Sequence, residues 1–315
     1  MNHPVVLSLF PVVLLIAIGW LAGRKRWIGT ASVKDLSNLV FVVLTPALLF
    51  RTMSTVHVEQ LDFTPVIAYF AGVVVIFAAT LLVGGFNRRA AVLALANTFS
   101  NTVMIGIPLV GIAFGQDGLV VLLTLYTVHT VLLLTSATVV LELAVMREDR
   151  ATGAATERHM AMTVLLAIRN AIIHPVPLPV ILGMLFAQTG LTIPAIIDKP
   201  LQLLGNAFGP LALVLVGVTL AFTQVGAHIR GAFVLAVVKN LVHPALVAAT
   251  GLALGLSGLP IAVMVVTSSL PIGANVFLFS QRYKVAEELI TASVVVSTLL
   301  ALASVPLVMW AATRL

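Results

Sequence analysis

Ten apolar stretches follow one another along this chain, each about long enough to cross a lipid bilayer, with little between them. An α-helix spanning roughly 30 Å of hydrocarbon needs about 20 mostly apolar residues. Stretches that meet this run near 4–23, 34–53, 64–85, 90–115, 118–146, 165–189, 200–223, 230–256, 260–281 and 285–313. Connections are short, and the one sizeable polar connection runs from Arg147 to His159. No separate soluble domain fits between the spans. Of 315 residues, 60% are apolar and only 9% charged, whereas a soluble domain is about half apolar and a quarter charged. Too few charged side chains remain to clothe a water-facing surface, which excludes a soluble enzyme, a nucleic-acid binder and a disordered chain. Cysteine is absent, so disulfide frameworks and thiolate metal sites are excluded as well. The chain reads as an all-α polytopic membrane protein.

The net charge of +6 bears on topology rather than on a nucleic-acid partner. The leader Met1-Asn2-His3-Pro4 carries no basic side chain, and the cluster Arg24, Lys25, Arg26 follows the first apolar run. This is the charge order of a span whose N-terminus faces out, not of a cleaved signal peptide. Alternating from there, twelve basic residues fall inside: Arg24, Lys25, Arg26, Lys34, Arg88, Arg89, Arg147, Arg150, Arg158, Arg230, Arg282 and Lys284. Only Arg51, Lys199 and Arg314 fall outside. The asymmetry predicts both termini outside.

The two halves resemble each other. Pro11, Val12, Leu14, Gly19 and Leu21 recur 164 positions later as Pro175, Val176, Leu178, Gly183 and Leu185, and Pro46 and Leu49 recur as Pro210 and Leu213. Pro108 answers Pro271 at an offset of 163. These matches predict a 5+5 inverted repeat: one five-helix unit over 1–146, a cytoplasmic linker over 147–162 and a second unit over 163–315. Five spans per unit put the second into the membrane upside down, the arrangement from which secondary carriers build alternating access.

Spans four and nine carry the candidate chemistry. Span four holds Asn101-Thr102-Val103-Met104-Ile105-Gly106-Ile107-Pro108, and span nine holds Ser268-Ser269-Leu270-Pro271-Ile272-Gly273-Ala274-Asn275. Proline removes a backbone donor and clashes with the preceding turn, and the neighbouring glycines are permissive. In hydrocarbon the freed backbone groups need protein, cavity water or ligand, so paired interruptions predict a midplane site. Half-helices beginning after Pro108 and Pro271 would point partial positive ends at an anion. Asn101, Thr102, Ser268, Ser269 and Asn275 would add neutral hydrogen-bonding groups; ordinary Pro kinks with Ser, Thr and Asn joining helices are the bland alternative.

Lys239 lies about nine residues into span eight, too deep for easy snorkelling, and an intramembrane cation is a functional hypothesis by default. It would support the broken backbone as a fixed charge, or draw in an anion. His243 and His129 read as packed neutral histidines or as proton-handling groups. All eleven Asp and Glu fall in loops or near span ends, so no buried carboxylate is expected. There is no phosphate loop, no His-Glu-x-x-His pair, and no sign of a metal or cofactor.

At these residues the sequence resembles a known family. Asn101 to Leu109 and Ser269 to Phe279 look like the fourth- and ninth-helix signatures of the auxin efflux carrier family, which includes plant PIN proteins and bacterial malonate-transporter-like members. Thr45-Pro46-Ala47-Leu48-Leu49-Phe50, Lys239 and His243-Pro244 resemble its bacterial members too. The resemblance implies ten helices, with helices four and nine broken and crossing at Pro108 and Pro271 and flanked by Gly106 and Gly273. It implies a scaffold of helices 1, 2, 6 and 7 that makes a homodimer, and a mobile transport domain of helices 3–5 and 8–10. Asn101 would be the carboxylate contact. The long central hydrophilic loop of plant members is missing and Asn275 stands in the span-nine motif, so a small organic acid is expected rather than auxin itself. The expected function is transport of small organic anions, malonate- or auxin-like, by alternating access in the bacterial inner membrane. A sensor built on a transporter fold is the alternative; an intramembrane enzyme finds no paired carboxylates or Ser/His dyad.

Overall fold

The computed structural model describes residues 4–57, 59, 61–152, 160–173, 175–223, 226 and 228–315. Those residues are helical, joined by short turns. In chain order the helices are α1 (Pro4–Arg24), α2 (Thr30–Met53), α3 (Thr64–Gly84), α4 (Arg88–Thr98), α5 (Ile107–Thr152), α6 (Met160–Ile172), α7 (Pro177–Ala187), α8 (Ala195–Phe222), α9 (Ile229–Ala253), α10 (Gly258–Ser269), α11 (Asn275–Tyr283) and α12 (Glu287–Ala312). Among the described residues, six helical stretches are long and apolar enough to cross a membrane: Thr30–Met53, Thr64–Gly84, Thr102–Glu148, Ala195–Phe222, Ile229–Ala253 and Glu287–Ala312. Leu9–Arg24, Pro177–Ala187 and Gly258–Ser269 are shorter and apolar. The expected linker over 147–162 is partly helix, because α5 runs on to Thr152 and α6 begins at Met160; Arg158 lies outside the described residues.

Prolines explain most irregularities. The helix widens to a π turn over Leu39–Leu44, Thr102–Gly106 and Val238–Val242. Each widened turn ends two residues before a proline: Pro46, Pro108 and Pro244. A proline ring clashes with the carbonyl four residues back and offers no N–H, and the wider turn makes room for it. In α2 the Thr45 hydroxyl donates to the Val40 carbonyl at 2.7 Å, occupying an acceptor within that turn. Pro175, Pro177 and Pro179 lie too close together for one such adjustment, and the stretch expected as a single sixth span is two helices, α6 and α7. Gly115 (φ 65°) breaks α5 and separates the stretches expected as spans four and five.

Apolar burial drives little helix association in lipid, so close backbone approach matters more. α1 packs along α8 in this way. Gly19 meets the Val214 carbonyl, and a Cβ on Gly217 would lie 2.6 Å from the Trp20 nitrogen. The second half of α2 packs on α7, where a Cβ on Gly183 would come within 2.7 Å of the Phe50 carbonyl. α3 packs on α9, and the Thr250 hydroxyl donates to the Ala68 carbonyl at 2.8 Å. These contacts frame the place where α4 and α10 stop.

One sequence expectation is corrected. Glu142 is a buried carboxylate (6% exposed) inside α5. The Tyr283 hydroxyl donates to it at 2.9 Å, which makes its burial tolerable.

Candidate binding site

Two backbone interruptions meet at the centre of the site. α10 stops because Pro271 forces the residue before it out of the helical region, and Leu270 is extended (φ −61°, ψ 153°). α4 stops without a proline. The Thr98 hydroxyl bonds back to the Ala94 carbonyl at 2.8 Å, Phe99 turns extended (φ −89°, ψ 114°), and Ser100 and Asn101 favour caps over helix interiors. The two extended stretches then pair antiparallel, Ser100 opposite Ile272. The Asn101 N–H donates to the Pro271 carbonyl at 2.8 Å, and the Gly273 N–H to the Phe99 carbonyl at 2.9 Å. Only glycine fits at 273, since a Cβ there would lie 2.7 Å from a Phe99 ring carbon and 2.9 Å from the Ser100 carbonyl.

This placement differs from the sequence expectation. The interruption in span four lies at Phe99–Asn101, not at Pro108, which the helix running on from Thr102 accommodates with the π turn before it. Pro108 and Pro271, matched by sequence, therefore occupy different places. Gly106 packs on Leu270, where a Cβ would lie 2.7 Å from its side chain.

Remaining backbone groups are satisfied from behind. The fully buried Lys239 donates from Nζ to the Ser268 carbonyl at 2.6 Å and to the Leu270 carbonyl at 2.8 Å. A cation suits the partial negative end of α10. The Ile272 N–H donates to Ser297 Oγ at 3.1 Å, and Asn240 Nδ2 donates to the Ser297 carbonyl at 2.8 Å.

In front of the paired breaks lies a cavity of about 410 Å³. Asn101, Thr102, Gly273 and Asn275 line it, with Phe99, Ser100, Met104, Tyr126 and Phe277. Ser37 of α2, Thr219 of α8 and Thr223 just past its end, and Thr291 and Thr298 of α12 complete the polar part of the wall. The lining holds no charged side chain. Ser268 and Ser269 are buried away from it, their hydroxyls donating to the Val265 and Val266 carbonyls at 2.7 Å. Lys239, His243 and His129 lie behind the wall. Both outgoing helical stretches begin at the cavity, Thr102 opening the turn into α5 and Asn275 opening α11, and the first N–H groups of a helix lack intrahelical partners. The arrangement offers amide and hydroxyl donors to an acceptor-rich ligand with an apolar body.

Sequence reasoning missed the far wall. In α12, Thr291, Val294, Val295 and Thr298 line the cavity at one-face helical spacing; at the end of α8, Thr219 and Thr223 stand four apart. Threonines on one face of an apolar span were the available signal.

A polar space of about 620 Å³ lies at the other end of α2 and α8, lined by Arg51, His57, Gln116 and Asp198 among others. Arg51 grips Asp198 there with both Asp oxygens engaged, at 2.7 and 3.1 Å. Among the described residues no group of His, Asp or Glu could hold a metal ion.

Comparison with known proteins gives consistent matches. A family described as "Membrane transport protein" matches residues 4–309. A protein named "Putative malonate transporter" from Rhizobium meliloti is 27% identical over 301 residues, covering 92% of this chain and 90% of its own. An "Uncharacterized transporter" from Methanothermobacter thermautotrophicus is 24% identical over 309 residues, covering 95% and 96%. "Auxin efflux carrier component 3a" from Oryza sativa subsp. japonica is 30% identical over 113 residues, covering 35% of this chain and 18% of its own length.

Proposed function

The chain belongs to the membrane transport protein family, and from that membership we propose that it carries small organic anions across the membrane by alternating access. The resemblance read from its helix signatures is borne out by the family and by the auxin efflux carrier matches. The observation that carries the anion reading is the wall of the cavity. Asn101, Thr102 and Asn275 stand at the starts of two helical stretches there. Helix N-termini and amides suit a carboxylate, and the apolar rings opposite suit its carbon skeleton. In this reading the protein acts by binding and movement, in keeping with its transport family.

The malonate name attached to one relative supports a short-chain di- or monocarboxylate over auxin. Helices α4, α5 and α9 to α12 would move with the substrate, together with α3. Helices α1, α2, α6, α7 and α8 would form the scaffold and the face of a homodimer. The α1–α8 and α2–α7 contacts support that division, because an inverted repeat relates one to the other. The charge asymmetry supports both termini outside, the matched halves support ten spans in a 5+5 repeat, and a bacterial inner membrane completes this reading. The cavity reaches Ser37, Thr223 and Thr291, toward the ends of α2, α8 and α12 that neighbour Arg26, Arg230 and Lys284, which agrees with an inward-open form.

Counterflow in proteoliposomes tests this reading. Internal unlabelled malonate should drive uptake of labelled malonate, with a monocarboxylate panel ranking specificity. A receptor built on the same fold would bind without exchange.

A further inference from the structure

Behind the cavity wall stands a second set of polar groups that anion binding leaves unused. His129 of α5 is enclosed by rings, with centroids at 5.0 Å to Phe99, 5.3 Å to Tyr69, 6.0 Å to Tyr126 and 6.1 Å to Phe70. Tyr69 of α3 in turn meets His243 of α9 at 5.5 Å. Tyr69, His129 and His243 are each 1% exposed or less. Yet both ring nitrogens of His129 and of His243 have no hydrogen-bond partner, while the Tyr69 hydroxyl faces Ser100 and the Tyr126 hydroxyl faces Thr130. Each such buried atom costs about 1–3 kcal/mol. Two imidazoles left this way on either side of Tyr69, from α5 and α9, point to an occupant. Imidazoles, a phenol and hydroxyls both donate and accept, which suits water, and an imidazole takes up a proton.

Charge balance says when the proton arrives. Among the described residues the cavity lining is uncharged, and the basic group that acts on both rings is Lys239, which opposes a proton on either of them while the cavity is empty. One anionic charge in the cavity is matched by Lys239. A second is not, and an unmatched charge away from water is costly. Phe99 and Tyr126 line the cavity and also contact His129, so the imidazole lies one ring layer from the anion.

We propose that the His129–Tyr69–His243 cluster is a hydrated proton-binding site that fills when a doubly charged carboxylate occupies the cavity and stays neutral with a monoanion. A ring nitrogen takes one proton from solvent, and no bond of the anion breaks. Tyr69 from α3, Tyr126 from α5 and Lys239 from α9 are the titratable groups facing the pair. Phe99 and Ser100 cover it from the α4 break, and no carboxylate among the described residues acts on either ring. The inference rests on the anion-carrier reading and adds the co-transported species.

The test uses the full chain in nanodiscs with ¹⁵N-labelled histidine, titrated at neutral pH with malonate and with propionate, in two buffers of different ionisation heat. Malonate should take up about one proton and move one imidazole signal to its cationic position; propionate should do neither. His129→Gln with His243→Gln should abolish the uptake and weaken malonate about tenfold while sparing propionate. Tyr69→Phe, which keeps the ring, should reduce the uptake. The wild-type spectra alone decide the matter should the double variant misfold. Buffer-independent malonate heat with neutral imidazoles would overturn this site alone, as would binding of propionate but not malonate. A folded wild type that binds neither anion would overturn the carrier reading and this site with it.

Discussion

Lys239 and Ser268 are joined by a 2.6 Å hydrogen bond from the ammonium to the last turn of α10, and this contact holds one side of the broken backbone. Lys239→Met keeps much of the volume but leaves the Ser268 and Leu270 carbonyls without that donor. Hydrogen bonds to a charged group contribute about 1.5–3 kcal/mol each, so melting in detergent should fall clearly and flux should be lost. Flux with unaltered sodium and pH response would contradict the role.

Gly273→Ala tests the pairing of the two breaks. Its methyl group would overlap Phe99 and the Ser100 carbonyl, at about 1–3 kcal/mol for an overpacked contact. Substrate exchange should drop more than about tenfold. Gly29→Ala is the control, since nothing lies within 4 Å of a Cβ there, and its exchange should match wild type.

Much of this was legible in the sequence. Apolar run length made an all-helical membrane chain legible because lipid tolerates few alternatives, and Pro271 located one break. Pro108 misled: a proline behind a π turn needs no interruption, and that turn has no separate sequence mark. The true break at Phe99–Asn101 is paired with a partner at least 170 positions away, which periodicity cannot reveal. Ser268 and Ser269 looked like ligands by composition, yet their hydroxyls bond back along α10. Ser297 and Asn240 escaped notice for the same reason in reverse, since only the packing brings Ser297 to Ile272 and Asn240 to Ser297.

Ser297→Ala leaves the buried Ile272 N–H without the acceptor it has now. The expected loss is about 1–3 kcal/mol, read as a lower melting temperature together with weaker substrate affinity. Ser297→Thr keeps the oxygen and should recover affinity; failure of that rescue would argue that Ser297 acts only through packing.

The Arg51–Asp198 pair looks stronger than it is. Both side chains are about a third exposed, at 37% and 34%, and exposed pairs contribute about 0–1 kcal/mol. Asp198→Asn should shift melting less than Ser297→Ala does. A larger shift would mean that the pair is shielded from solvent in the membrane.

The central claim is that the amides where the two breaks meet hold a carboxylate for transport. Its most direct measurement is malonate counterflow by wild type and Asn101→Ala in matched proteoliposomes, with melting curves to establish folding. The account predicts exchange by wild type and loss of it in a variant that melts normally. Near-wild-type exchange by folded Asn101→Ala would contradict it.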